Sequence, residues 1–140
     1  MMDAHTLAVG AEAPYWQGLN DGRLVLPRCK GCGRWHWPAV FHCPACGSWE
    51  MAWEDVEPRG AIYSWTRNWH RFGGLEALDI PFITATVALP QAGGIRLMGL
   101  VEPGDAEIAI GMAVAGQFST TRCFGSDIPA IHWRIAGGGA

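Results

Sequence analysis

Two short cysteine motifs constrain the fold of this chain more than any other feature. Residues 29–33 (CKGCG) and 43–47 (CPACG) are both Cys-x-x-Cys-Gly turns, and ten residues lie between Cys32 and Cys43. Each turn presents two thiolates to one ion, and the glycine after the second cysteine lets backbone N–H groups approach the sulfurs without an intervening Cβ. Two such turns complete the tetrahedral thiolate set of structural zinc. The predicted ligands are Cys29, Cys32, Cys43 and Cys46.

We therefore expect one structural Zn2+ ion with no open coordination position for Lewis-acid chemistry. The spacer is shorter than the usual spacing of roughly fifteen to twenty residues, which predicts a compact ribbon. The main alternative to zinc is an iron ion in the same four-cysteine site. A site without metal, with four free buried cysteines, is a weaker alternative. His36 and His42 lie between the turns and could replace a ligand, although each cysteine pair is already complete. We expect Cys123 to be a small apolar or loop residue.

Residues 11–22 (AEAPYWQGLNDG) predict one short amphipathic helix. Tyr15, Trp16 and Leu19 lie on one helical face, Pro14 stands near the start, and residues 20–22 (NDG) end the helix. Two interpretations remain open at this point. The helix packs on its own domain, or it docks a partner protein.

From residue 49 onward the apolar pattern has a period of two, with turn residues between the runs, which is typical of strands. The predicted strands are residues 49–56, 61–69, 82–89, 95–101, 112–119 and 130–135. Residues 105–111 predict one helical turn that ends at Gly111, and residues 125–129 predict a turn. Five or six short strands predict a small closed or half-closed barrel.

Composition narrows the function classes. Hydrophobic residues make up 49% of the 140 residues and charged residues only 16%, which excludes disorder and indicates that some apolar surface meets a partner. A net charge of −3 gives no electrostatic case for nucleic acid or an anionic membrane. The first ten residues have no basic start, and no run approaches the roughly 18 apolar residues that span a bilayer. We expect a cytoplasmic protein with reduced cysteines.

The order of motifs resembles a family of small proteins that join a rubredoxin-like zinc ribbon to an OB-fold and are described as acyl-CoA-associated. Tyr15-Trp16 precedes residues 22–29 (GRLVLPRC), and the two cysteine turns follow. The later motifs are residues 60–66 (GAIYSWT), 80–82 (IPF), 110–114 (IGMAV) and 129–134 (PAIHWR). The resemblance covers about residues 11–135. It implies a mainly β chain with a helical segment (1–22), a zinc ribbon (23–48), a five- to six-stranded OB-fold barrel (49–136) and a flexible tail (137–140).

The resemblance also implies an accessory role. Such proteins are typically encoded with thiolase-like enzymes, 3-hydroxy-3-methylglutaryl-CoA synthase, acyl-CoA hydratases or side-chain-cleaving aldolases. They serve as scaffolds or essential small subunits, and some act in acyl transfer to aromatic polyketides or in steroid side-chain breakdown. The family has no agreed catalytic residue, so none is assigned to this chain. The leading hypothesis is a non-catalytic subunit of an enzyme that acts on acyl-CoA thioesters.

Residues 65–72 are the densest run of polar and aromatic side chains. Arg67, His70 and Arg71 could meet the phosphates of CoA while Trp65 or Trp69 stacks on its adenine. The plainer interpretation, which we favour, is that alternate aromatic residues pack the barrel while the arginines are solvated. A second basic cluster consists of Arg23, Arg28, Lys30 and Arg34. It could face an acidic partner surface or CoA phosphates, and a solvated ribbon face is the default interpretation.

Two other functions stay open as alternatives. OB-folds and zinc ribbons both bind single-stranded nucleic acid, although the acidic composition disfavours this. Direct binding of an acyl-CoA, with or without minor enzymatic activity, is the other. No nucleophile elbow or phosphate loop is present. His70 and His132 are isolated in the sequence. Either could meet an acid in space, but a lone histidine is more often a surface or core residue.

Overall fold

The computed structural model describes residues 10–136, and its secondary structure is mainly β, as predicted. Helix α1 spans Ala13–Asn20, and a short 3-10 turn spans Pro90–Ala92. The strands are β1 (Val25–Cys29), β2 (Met51–Asp55), β3 (Arg59–Asn68), β4 (Phe82–Leu89), β5 (Ile95–Glu102), β6 (Ala113–Cys123) and β7 (Ser126–Ile135). Residues 1–9 of the predicted helical segment and the predicted tail at 137–140 lie outside the described residues. Within residues 10–136, no helix is long and apolar enough to cross a membrane.

The ribbon is built on a two-stranded antiparallel sheet. β1 pairs with β2 from Val25↔Asp55 to Cys29↔Met51, and both cysteine turns lie between the two strands. The strand predicted at residues 49–56 is therefore present, but it pairs with β1 and not with a barrel strand. β1 itself was not predicted, because its residues are buried almost continuously and show no alternation.

The remaining five strands close into a barrel in the order β3–β4–β5–β7–β6. All neighbours are antiparallel except β5 and β7, which run parallel and pair at Val101↔Trp133 and Glu102↔Arg134. This closed five-stranded barrel confirms the expected OB-fold. β4 has the predicted bounds, and the alternate residues along one of its faces are all buried: Ile83, Ala85, Val87 and Leu89.

Two local predictions are wrong. Residues 105–111 form no helical turn; burial alternates along residues 105–109 as in an extended segment, with Ala106 and Ile108 packed against the core. The turn predicted at residues 125–129 is confined to Phe124 and Gly125, and β7 already begins at Ser126. Pro129 fits within this strand because β7 pairs there with β6 alone, so its missing N–H costs no ladder hydrogen bond on the other side.

One hydrophobic core joins the helix, the ribbon and the barrel. Leu24, which precedes β1, and Leu26 within β1 lie in the same buried cluster as Trp133 of the barrel. Tyr15 and Leu19 of α1 join this cluster, so the helix packs on its own chain. The helix ends where predicted, since Gly22 has a φ of +73° and Arg23 N–H donates to Gly18 O at 2.8 Å.

Candidate functional site

The four ribbon cysteines converge on one point. Their Sγ atoms all lie within 4.8 Å of one another, with 3.5 Å between Cys29 and Cys46 and 3.7 Å between Cys32 and Cys43. A tetrahedral Zn2+ ion with Zn–S bonds of about 2.3 Å requires sulfurs about 3.8 Å apart. The arrangement therefore fits one structural zinc ion, and it is the only cluster of three or more possible ligands found within residues 10–136. His36 and His42 do not belong to it.

The glycine after the second cysteine of each turn was predicted to let N–H groups approach the sulfurs, but its main role in the structure is to close the turn. Gly33 and Gly47 have φ values of +79° and +81°, and their N–H groups donate to the carbonyl oxygens of Cys29 and Cys43. The N–H group that approaches a sulfur most closely belongs to Gly31, 3.3 Å from Cys29 Sγ. Gly33 and Gly47 are therefore needed because they adopt left-handed backbone. This conformation closes each turn tightly enough to bring its two sulfurs together.

The backbone of the turns favours the thiolate form that a metal needs. The N–H of Cys32 is the largest influence on Cys29 and lowers the pKa of its thiol to about 6. Burial raises the pKa of Cys43, but the N–H groups of Cys46 and Ala45 outweigh it, so the pKa lies below the ordinary value. The N–H of Ser48 lowers the pKa of Cys46, but the opposing thiol of Cys29 and burial outweigh it and raise the pKa to about 11.

The residues predicted to bind CoA lie at the end of β3 and in the following loop. Arg67 donates to the carbonyl oxygens of Gly104 and Ala106, and its guanidinium lies 5.4 Å from the centre of the Trp65 ring. Arg71 donates to backbone carbonyls within its own loop, and His70 packs edge-on against Phe72. Both arginines thus hold loops in place in this structure.

The predicted basic cluster is partly neutralised by β2. Arg23 makes two hydrogen bonds to Asp55, at 2.8 and 2.9 Å. Arg28 lies 3.6 Å from Glu54 and 5.1 Å from the centre of the Trp35 ring. The cross-strand acids come from β2, which follows the cysteine turns in the chain, so the sequence segment alone did not reveal them.

A buried histidine is the polar feature that the sequence did not locate. His132 is only 6% exposed; its Nδ1 lies 2.9 Å from Glu102 Oε1, and its Nε2 lies 2.9 Å from Thr121 Oγ1. Arg134 approaches the other carboxylate oxygen of Glu102 at 3.5 Å. The sequence favoured a lone core or surface residue at this position, whereas the pairing of three different strands places His132 against an acid.

An apolar cleft of about 320 Å³ lies beside this histidine. It runs along the outer face of the barrel where β5 and β7 separate, with α1 forming one wall. Its walls include Trp16 and Leu19 of the helix and Met98 of β5, and Thr121 and His132 are among its few polar residues. The cleft is separate from the thiolate cluster, since no ribbon cysteine lines it.

Two sequence profiles of one family match consecutive parts of this zinc-ribbon and barrel chain. The profile described as the ChsH2 rubredoxin-like zinc ribbon domain matches residues 16–52, and that of the ChsH2 C-terminal OB-fold domain matches residues 53–119. The chain belongs to the ChsH2 family. The predicted ribbon and OB-fold thus correspond to the two domains of the ChsH2 family, in the same order.

Curated relatives of this ChsH2-family chain are enzyme subunits. A probable enoyl-CoA hydratase alpha subunit from Thermomonospora curvata is 32% identical over 111 residues, which are 76% of this chain and 33% of that protein. This chain therefore spans about a third of the hydratase subunit. The benzoylsuccinyl-CoA thiolase subunit BbsA from Thauera aromatica is 25% identical over 123 residues, which are 88% of this chain and 76% of that protein.

Two solved structures have the same fold as this chain. A chain of the Ltp2-ChsH2(DUF35) aldolase superposes with a TM-score of 0.76 and 25% identity, covering 92% of this chain and 98% of that one. A DUF35-family protein of unknown function from Sulfolobus solfataricus shares the fold, with a TM-score of 0.60 and 16% identity, covering 94% and 90%. The ChsH2 family is thus associated with subunits of thiolase, hydratase and aldolase enzymes.

Proposed function

We propose that this chain is a non-catalytic, zinc-binding accessory subunit of an enzyme that acts on acyl-CoA thioesters. The partner would be a thiolase-like, acyltransferase or aldolase/hydratase protein. The observation that carries the proposal is the extent of the structural likeness to the aldolase chain: the superposition covers 92% of this chain and 98% of the aldolase chain. The two chains have the whole ribbon–barrel unit in common, and a short motif shared by chance would not produce such coverage.

The exposed surface supports association with a partner. Among the described residues, ten large apolar side chains are more than a third exposed: Phe41, Trp49, Tyr63, Trp69, Phe72, Ile80, Met98, Ile110, Phe118 and Phe124. Aromatic residues and methionine are enriched where proteins bind one another, and charged residues are depleted there. Several of these side chains are therefore expected to become buried in the complex.

The chemistry of the metal site supports an accessory role. Four thiolates complete the coordination of a tetrahedral ion, so a substrate or a water molecule gains no position on the metal. The ion would hold the two ends of the ribbon together, and the reacting groups would come mainly from the partner.

Reconstitution of activity tests the proposal. The full chain and the thioester-processing enzyme encoded beside its gene are purified separately and then mixed, and turnover of acyl-CoA substrates is measured for each protein and for the mixture. We expect no turnover by this chain alone and a large gain for the mixture. Turnover by the isolated chain, or an enzyme indifferent to its presence, would reject the accessory role.

A further inference from the structure

The apolar cleft beside His132 contains a directed hydrogen-bonding group that the proposed function does not use. Thr121 and His132 both line the cleft, and the histidine is buried between Thr121 and Glu102. A chain of three polar side chains is thus held at the edge of an apolar space. Such a combination is typical of sites that bind small molecules, where a few placed polar groups select the ligand.

We propose that this cleft binds a small apolar molecule through a hydroxyl group, which donates a hydrogen bond to Thr121 Oγ1. The apolar part of the ligand would lie between the helix wall and strands β5 and β7. The site requires no partner protein, so it is independent of the accessory role.

The direction of the hydrogen bonds follows from the charge on Glu102. Its carboxylate, which also faces Arg134, accepts a hydrogen bond, so a neutral His132 carries its proton on Nδ1. Nε2 then has only a lone pair and accepts the hydroxyl proton of Thr121 across 2.9 Å. Because the hydroxyl proton of Thr121 is donated to His132, the Thr121 oxygen can only accept a further hydrogen bond. A ligand that donates a hydrogen bond is therefore preferred.

The same arrangement disfavours acids. The cleft is lined mostly by apolar groups, and the nearest charge behind His132 is the carboxylate of Glu102. A ligand carboxylate would lose its hydration without gaining a cation, and it would meet an acceptor at Thr121. A neutral alcohol is therefore preferred over the corresponding acid.

Three naphthalene derivatives test the ligand class on the full chain, by isothermal titration calorimetry. 2-Naphthol has the hydroxyl donor, 2-methoxynaphthalene has the oxygen without the proton, and 2-naphthoate has the charge. We expect 2-naphthol to bind about five- to tenfold more tightly than the methyl ether, which is the contribution of one hydrogen bond. We expect the naphthoate to bind more weakly still. Equal affinities for the alcohol and the ether, or no binding of any probe, would overturn the proposal.

Variants then locate the site. Thr121→Val keeps the shape of the side chain and removes the hydroxyl, so the preference for 2-naphthol over its ether should disappear. Thr120→Val is the matched control, because Thr120 immediately precedes Thr121 in β6 and does not line this cleft. An unchanged preference in Thr121→Val, or its loss in the control, would contradict the assignment.

The tautomer of His132 gives a readout that does not depend on the variants folding. Long-range 15N–1H NMR correlations of the imidazole distinguish a proton on Nδ1 from one on Nε2. We expect the Nδ1–H form in the free chain and a shift of the Nε2 resonance when 2-naphthol is added. The Nε2–H form, or an unaffected resonance at saturating probe, would reject the proposed direction of the hydrogen bonds.

Discussion

At the scale of single residues, the cluster of four cysteines was predictable, because the thiols sit in two local turns of identical pattern. Their convergence needed only the pairing of the two strands that flank the turns, β1 and β2. The Glu102–His132 pair could not be predicted in this way. Thirty residues separate the two side chains, and their contact depends on the closure of the barrel.

The ribbon cysteines should control both metal content and stability. Cys43 is fully buried, and Cys43→Ser removes one thiolate of the tetrahedral set. Because metal binding adds directly to the free energy of folding, we expect loss of zinc and a Tm lower by about 10 °C or more. Elemental analysis and calorimetry measure the two quantities. Cys123→Ser is the matched control and should retain one zinc ion per chain; zinc retained in Cys43→Ser would contradict the ligand assignment.

The Arg23–Asp55 pair predicts a pH effect of known sign. The hydrogen bond from Arg23 is the main cause that lowers the pKa of the Asp55 carboxyl in the folded chain. A carboxyl with a lowered pKa stabilises the fold above its unfolded pKa, and this contribution is lost as the pH falls through the folded pKa. In Arg23→Gln we expect the pKa of Asp55 to rise toward its ordinary value.

NMR titration of the Asp55 carboxyl carbon measures this shift. Since both side chains are mostly exposed, we expect only a small effect on Tm. Arg34→Gln, which changes another exposed arginine of the ribbon, should leave the pKa of Asp55 unchanged. An unaltered Asp55 pKa in Arg23→Gln would show that the ion pair does not persist in solution.

At the scale of secondary structure, prediction succeeded where one face of an element is buried. β4 alternates between core and surface, so its bounds could be read from the sequence. β1 could not, because both of its faces are covered. The end of β6 was missed for the opposite reason: the strand was predicted to end at residue 119, and residues 120–123 are exposed or half-buried and carry no apolar run.

The helix contributes to stability through the face that was identified from the sequence. Leu19 is 4% exposed within the shared core, so Leu19→Ala should lower the free energy of unfolding by about 2–4 kcal/mol. Denaturant unfolding measures the change. Asn20→Ala is the control on the exposed side of the same helix and should have little effect. Equal stability of Leu19→Ala and the original chain would show that α1 does not pack on the barrel in solution.

At the scale of the whole molecule, the two parts are not independent. The sequence predicted a zinc ribbon (23–48) followed by a barrel (49–136), and residues in and beside the ribbon sheet share one buried cluster with the barrel and helix. Loss of the ion should therefore affect the whole chain and not the ribbon alone. A unit with one core is suited to present exposed aromatic residues of both parts to one partner.

Native mass spectrometry of the co-expressed proteins tests the accessory role most directly. The full chain is produced together with the thioester-processing enzyme encoded beside it, and the complex is weighed without denaturation. We predict a defined complex that contains both proteins, with one zinc ion for each copy of this chain. A stable monomer that never associates with the enzyme, in a preparation where both are folded and this chain contains zinc, would contradict the account.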